Sequence, residues 1–66
     1  MKHLDRLLDP RQLADYLKVP VATIYAWRHR GTGPRGFRVG RHLRYRESDI
    51  EKWLIDQLAE SKQEMP

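Results

Sequence analysis

Between Asp15 and Glu47 the chain carries Lys18, Arg28, Arg30, Arg35, Arg38, Arg41, Arg44 and Arg46, while all nine acidic residues lie outside positions 16 to 46. A guanidinium presents its N–H donors in a planar fork that matches phosphate oxygens, so a one-sided block of this kind is the footprint of a polyanion partner. A merely solvated basic surface would intersperse both signs. The densest part is GFRVGRHLRY, residues 36 to 45, where arginines and a histidine are threaded between Phe37, Val39, Leu43 and Tyr45 around the central Gly40.

Other chemistries fail on inventory. The chain has no cysteine, which excludes disulfides and thiolate zinc sites and fits a reducing cytoplasm. His3, His29 and His42 lack a metal-ligand spacing, so neither a metal nor another cofactor is expected. Ser48 and Ser61 fall in a helix start and a tail, and no carboxylate lies within the cationic stretch from residue 16 to 46, which argues against an enzyme. No apolar run approaches the roughly 20 residues of a membrane span, and MKHLDRLLDP has no hydrophobic region of a secretion signal. A cytoplasmic chain with no membrane contact is the expectation.

A chain of 66 residues makes one domain with a small core, so every large apolar residue needs a packing role before a functional one. That single domain covers residues 1 to 66, with an ordered core over about 7 to 58 and a frayed tail over 59 to 66. Residues 9 to 17 predict a first helix: Asp9 caps, Pro10 suits the first helical position, Gln12 closes a capping box, and Leu8 staples onto Leu13. Leu13, Tyr16 and Leu17 share one face of it. Val19 before Pro20 is pushed toward an extended conformation, which ends that helix near Lys18. VATIYAWRHR then forms a second helix closed by Gly31, with Arg28, His29 and Arg30 in its last turn. At 100° per residue Ile24 and Trp27 share one face, and Ala22, Tyr25, Ala26 and His29 the other.

GTGPRG is a loop, and a hairpin follows. If Phe37, Val39, Leu43 and Tyr45 share a face, Val39 pairs with Leu43 and the turn holds three residues, Gly40, Arg41 and His42. The commoner two-residue turn, Gly40 and Arg41, would pair Val39 with His42 and send half of those apolar residues to solvent. The odd loop is therefore preferred, with Arg41 and His42 at its tip. A last helix starts between Arg46 and Asp49 and buries Ile50, Trp53, Leu54 and Leu58. Trp27 and Trp53 could stack on single-stranded nucleic acid, but their spacing with Ile24, Ile50 and Leu54 favours core packing.

Helix, turn, helix, hairpin, helix is a winged helix-turn-helix: mainly α, three helices and a two-stranded wing. The run LDPRQLADYLKVPVATIYAWRHRGTGPRGFRVGRHLRYRESDIEKWL, residues 7 to 54, resembles the excisionase and AlpA-type DNA-binding domains related to the MerR headpiece. The resemblance rests on Thr23-Ile24-Tyr25 followed by Trp27, on the arginine-rich wing around Val39-Gly40-Arg41, and on Ser48-Asp49-Ile50 with Trp53-Leu54. Pro20 stands where many relatives carry a serine or aspartate, so the usual side-chain cap of the second helix is missing.

The resemblance implies that the second helix enters the major groove of double-stranded DNA and the wing reaches the neighbouring minor groove or backbone. Ala22, Tyr25, Ala26 and His29 would then face base edges, with Thr23 beside them. Tyr25 alternatively only covers the core edge. Arg28 and Arg30 would clamp phosphates, Arg41 would enter a narrow A·T-rich minor groove, and Arg38 and Arg44 would project from the solvent face of the hairpin toward the backbone, with His42 at the tip. Two roles use such a surface. An excisionase bends DNA beside an attachment site and biases an integrase toward excision of a mobile element, often in several copies assembled head to tail. An AlpA-like transcriptional regulator would use the same surface at a promoter.

Overall fold

Asp9 caps the first helix as the sequence requires: its carboxylate accepts from Gln12 N at 2.8 Å, and Gln12 Oε1 accepts in return from Asp9 N at 2.9 Å. This reciprocal cap opens α1 (Pro10–Leu17) in a computed structural model that describes residues 5–62. Leu8, just before the cap, meets Leu13 in the core and fixes the angle at which the chain enters the helix. The helix ends at Lys18, a non-glycine residue in the left-handed region at φ 62°, whose N–H serves the carbonyls of Ala14 and Asp15. Pro20 is extended at φ −64°, ψ 147° and contributes no side-chain cap; Thr23 N instead donates to Pro20 O at 2.9 Å to close the first turn of α2 (Val21–Arg30). Gly31 ends α2 at φ 75° with its N–H on the carbonyls of Trp27 and Arg28.

Three strands follow the two-fold periodicity of a small antiparallel sheet: β1 (Leu7–Leu8), β2 (Phe37–Val39) and β3 (His42–Arg46), in the spatial order β1-β3-β2. The first was not expected. Two residues are too few to show alternation, and β1 exists because Leu7 and Leu8 pair with Arg46 and Tyr45 far along the chain. The fold is thus a winged helix-turn-helix whose two-stranded wing is completed to three strands.

The wing corrects the expected register. Val39 pairs with His42, Arg38 with Leu43 and Phe37 with Arg44, so the turn is the two-residue Gly40-Arg41 and not Gly40-Arg41-His42. Gly40 alone in this turn has a positive φ, 65°, the requirement of a type II′ hairpin turn. Leu43 and Tyr45 face the helices and are buried, whereas Phe37 and Val39 lie on the other face at 37% and 48% exposure. Gly36 explains the choice. A Cβ there would stand 2.8 Å from Cε2 of Tyr45, 3.0 Å from its Cζ and 3.2 Å from Leu43 Cδ1. The Tyr45 ring occupies the space above a glycine that a Phe37 in the alternative register would have had to fill.

The core gathers Leu8, Leu13, Ala14, Ile24, Leu43, Tyr45 and Ile50, with Leu17, Val19, Val21, Trp27 and Leu54 packed around it. Trp27 and Trp53 pack together, ring centroids 5.2 Å apart and planes tilted by 49°, which gives both a structural role. α3 (Glu47–Lys62) follows β3 without a break. Its start is tied to the chain before β1: Glu47 N donates to Arg6 O at 3.0 Å and Ser48 Oγ donates to Asp5 Oδ2 at 2.7 Å. Arg46 donates from Nε and Nη2 to Asp49 at 2.9 and 3.2 Å, holding its carboxyl below the usual carboxylate range; charge attraction from Arg46, Arg35 and Lys52 adds to the hydrogen bond, and burial opposes it.

Leu58, assigned to the buried stripe of the last helix, is 64% exposed, and Tyr16, grouped on one face with Leu13 and Leu17, is 57% exposed. α1 buries Leu13, Ala14 and half of Leu17, a stripe displaced one position from the expected one. α3 outruns the body it packs on, and helix formers Leu58, Ala59, Glu60 and Lys62 carry it past residue 58, where the ordered core was expected to stop. Residues 63–66 and His3 lie outside the described residues. No helix among the described residues is long and apolar enough to cross a membrane.

Candidate nucleic-acid interface

α2 turns its buried side, Ile24, to the core and leaves Ala22, Tyr25 and His29 exposed, with Thr23 and Ala26 half-buried between them. The phase read from the sequence therefore holds along this helix. Arg28 and Arg30 occupy its exposed last turn, where their charge also complements the C-terminal end of the helix dipole.

Beside α2 the hairpin forms the second wall of a cleft of about 260 Å³, lined by Pro10, Tyr25, Arg28, Arg38, Arg41, His42, Leu43 and Arg44. Six residues singled out in the sequence thus converge here: Tyr25 and Arg28 from the helix, Arg38, Arg41, His42 and Arg44 from the wing. Ala22, Thr23, Ala26, His29 and Arg30 lie along α2 outside the cleft lining. Pro10 was missed. Its sequence signal was absorbed by its role in starting α1, and nothing in that role announces that the N-terminus of α1 abuts the wing.

Several of these guanidiniums are positioned before any ligand arrives. Arg28 Nη1 donates to Gly36 O at 3.1 Å, which ties α2 to the base of the wing. Arg38 Nη1 donates to Arg41 O at 3.3 Å across the turn, and Arg44 Nη1 donates to Leu43 O at 2.8 Å. A guanidinium has five N–H donors, so one such bond leaves the others for an incoming anion while removing part of the entropy of ordering. Arg30, Arg35 and Arg41 make no side-chain hydrogen bond or ion pair among the described residues. Arg41 stands at the turn, exposed, next to a Gly40 whose Cβ position meets nothing within 4 Å.

The register also corrects how the wing presents its charges. Arg38 pairs with Leu43 and so faces the same side as the core, toward α2; Arg44 pairs with Phe37 on the opposite face. They do not project together from the solvent face, because a one-residue change in pairing turns every β2 side chain over. His42 belongs to β3 and pairs with Val39 instead of sitting at the tip.

Electrostatically the cleft is uncompensated. The ion pairs among the described residues join Arg6 to Glu47 at 3.5 Å and Arg46 to Asp5 and Asp49 at 3.8 and 2.9 Å, all at the junction of β1, β3 and α3. No carboxylate lines the cleft. The Tyr45 hydroxyl is pushed above the usual phenol range by burial; the Arg28 charge pulls it back and Tyr25 pushes it up. Arg28, Tyr25 and Tyr45 therefore form one cluster joining the interface to the core.

Comparison with known protein families finds that the one described as a helix-turn-helix domain matches residues 7–57, which take in all three strands, α1, α2 and most of α3. Comparisons with curated proteins and with solved structures gave no match.

Proposed function

Because the chain belongs to this family of DNA-binding helix-turn-helix domains, we propose that it is an excisionase, which binds double-stranded DNA in the cytoplasm beside an attachment site and bends it for an integrase to excise a mobile element. The observation that carries DNA binding as the working surface is the cleft between α2 and the wing, whose lining holds Arg28, Arg38, Arg41 and Arg44 and no carboxylate. In this reading α2 lies in the major groove with Ala22, Tyr25, Ala26 and His29 toward base edges and Thr23 beside them. Arg28 and Arg30 grip the flanking phosphates. Arg41, at the turn of the wing, enters an adjacent narrow minor groove, while Arg38 and His42 with Arg44 reach backbone from opposite faces of the hairpin.

The excision role is supported by the resemblance of residues 7 to 54 to excisionase domains. Such a protein acts by placement, in several copies arranged head to tail, with no chemistry of its own. Footprinting on DNA of the host element tests the role. Protection inside an attachment site, with stimulated excision when the integrase is present, is the expected result; protection over a promoter alone would assign the AlpA-like regulatory role instead. Affinity should fall with salt at a log–log slope of about −4 to −5, as for roughly five neutralised phosphates, and a slope near −1 would remove the electrostatic reading.

A further inference from the structure

On a part of the molecule that shares no lining residue with the cationic cleft, β1, α1 and the start of α3 enclose a second groove of about 430 Å³. Its apolar wall is made by Leu8, Ile50 and the exposed ring of Tyr16. Its rim carries Asp15, Glu47 and Glu51, and the one cation in the lining, Arg6, is already engaged by Glu47 at 3.5 Å. The groove does not end where α1 ends. Positions 47, 51, 54 and 58 advance by four, three and four residues and so run in one line along α3. Past Glu51 that line is Leu54, half-buried, and Leu58, 64% exposed, with Ile55 beside it at 65%. An apolar track over Ile50, Leu54 and Leu58, about 12 Å along the helix, therefore leads out of an acid-rimmed groove.

We propose that this track is a docking site for an amphipathic helix of a partner protein, apolar along one stripe and lined with lysine or arginine on its flanks. The charge assignment follows from the sign of the rim. In a chain of net charge +4, with its cations concentrated on α2 and the wing, this groove is where a cationic helix finds carboxylates. The apolar assignment follows from Tyr16, Ile55 and Leu58, large side chains left uncovered along one path although the core nearby is closed. A second copy of this chain does not fit the requirement. Its α2, with Arg28 and Arg30, commits its isoleucine to the core, and its α3, the helix with exposed Ile55 and Leu58, sets Glu47, Asp49, Glu51, Asp56 and Glu60 against Lys52 and Lys62 and is therefore net acidic. Since the groove and the cationic cleft share no lining residue, a helix bound here leaves the DNA-facing surface free, so the protein can hold a partner and a duplex together. The proposal does not depend on which DNA role the other surface serves.

The test uses the full chain, labelled with ¹⁵N, and synthetic helical peptides of about 14 residues with leucines at i, i+3, i+4 and i+7. One carries lysine and arginine on its flanks, a second carries glutamate at the same positions, and a third is the cationic sequence broken by proline. The expected result is saturable shifts of amides in α1 and along residues 47 to 58 with the cationic helix only. Tyr16→Ser and Leu58→Ser, each at an exposed position that leaves the core intact, should weaken that binding about tenfold and leave duplex affinity unchanged. Glu51→Lys should weaken it similarly. Equal binding of the acidic or the proline-broken peptide, shifts confined to other surfaces, no shifts at millimolar peptide, or loss of the groove through self-association of the free chain would each overturn the proposal.

Discussion

Gly36→Ala is the sharpest test of how this small domain couples its core to the cationic cleft proposed to bind DNA. The backbone at Gly36 is not in the left-handed region, so the cost of the added methyl is steric. An ordinary carbon–carbon contact lies at about 3.5 to 4.0 Å, whereas the new Cβ would meet Tyr45 Cε2 at 2.8 Å, Tyr45 Cζ at 3.0 Å and Leu43 Cδ1 at 3.2 Å. Leu43 Cδ1 is a terminal methyl that can yield, but the tyrosine ring cannot swing aside, being 2% exposed and closed in by the core. Relief requires β2 to move away from the ring by the better part of an ångström, at a cost of about 1 to 3 kcal/mol. For a domain of this size, whose total stability is about 3 to 10 kcal/mol, the thermal midpoint should fall by about 5 to 20 °C. The same displacement moves the Gly36 carbonyl that receives Arg28 Nη1 at 3.1 Å. Duplex affinity of the protein that remains folded should therefore drop, by about the loss seen in Arg28→Ala. Melts by circular dichroism and fluorescence titrations with duplex below the midpoint would measure both. A midpoint within 2 °C of the unsubstituted protein would refute the close approach of Tyr45 to Gly36, and a large stability loss with unchanged affinity would refute the coupling through Arg28.

Other substitutions separate the remaining claims. Leu43→Ala should cost about 2 to 4 kcal/mol and Phe37→Ala less than about 1, by chemical denaturation; similar large costs for both would restore the three-residue turn. Lys18→Gly should raise stability by about 0.5 to 1 kcal/mol, since glycine accepts the left-handed backbone at this helix end; a lower midpoint would mean that the lysine side chain is supporting the fold. The carboxyl of Asp49 is held low by Arg46 when folded, so its contribution is complete above the unfolded pKa of about 3.9 and is lost as pH falls through the still lower folded value. Asp49→Asn should accordingly lower stability at neutral pH and flatten its decline below about pH 4, and an unchanged acid limb in the melts would show that the Arg46 contact contributes nothing.

The three helices were legible because their signals are local. A capping box at Asp9 and Gln12, a proline before α2 and a glycine after it each act over a turn of chain, and the phase of Ile24 against Tyr25 and His29 follows from geometry alone. The features that escaped are set by distant neighbours. β1 is two residues made into a strand by Tyr45 and Arg46. Tyr16 and Leu58 carry the apolar character of a buried stripe at positions where the body offers nothing to cover them. A hydrophobic periodicity states which side of an element is apolar; how far the covering surface extends is a property of the assembled domain.

The wing makes the same point in a way that bears on function. Parity assigned Phe37, Val39, Leu43 and Tyr45 to one face on the premise that apolar residues in a hairpin must all be buried. With helices on one side only, the inner face had room for Leu43 and Tyr45, and what lies opposite them on β2 is small or cationic: Gly36 under the Tyr45 ring and Arg38 beside Leu43. That pairing swings Arg38 toward α2 and into the cleft with Arg28 and Arg41. Two sequence features pointed this way, the glycine that opens GFRVG and the Gly40-Arg41 dipeptide suited to the shortest turn. The register that leaves Phe37 and Val39 half-exposed is thus the one that brings Arg38 to the cleft beside α2, and the apolar residues it leaves uncovered mark the reverse side of the wing.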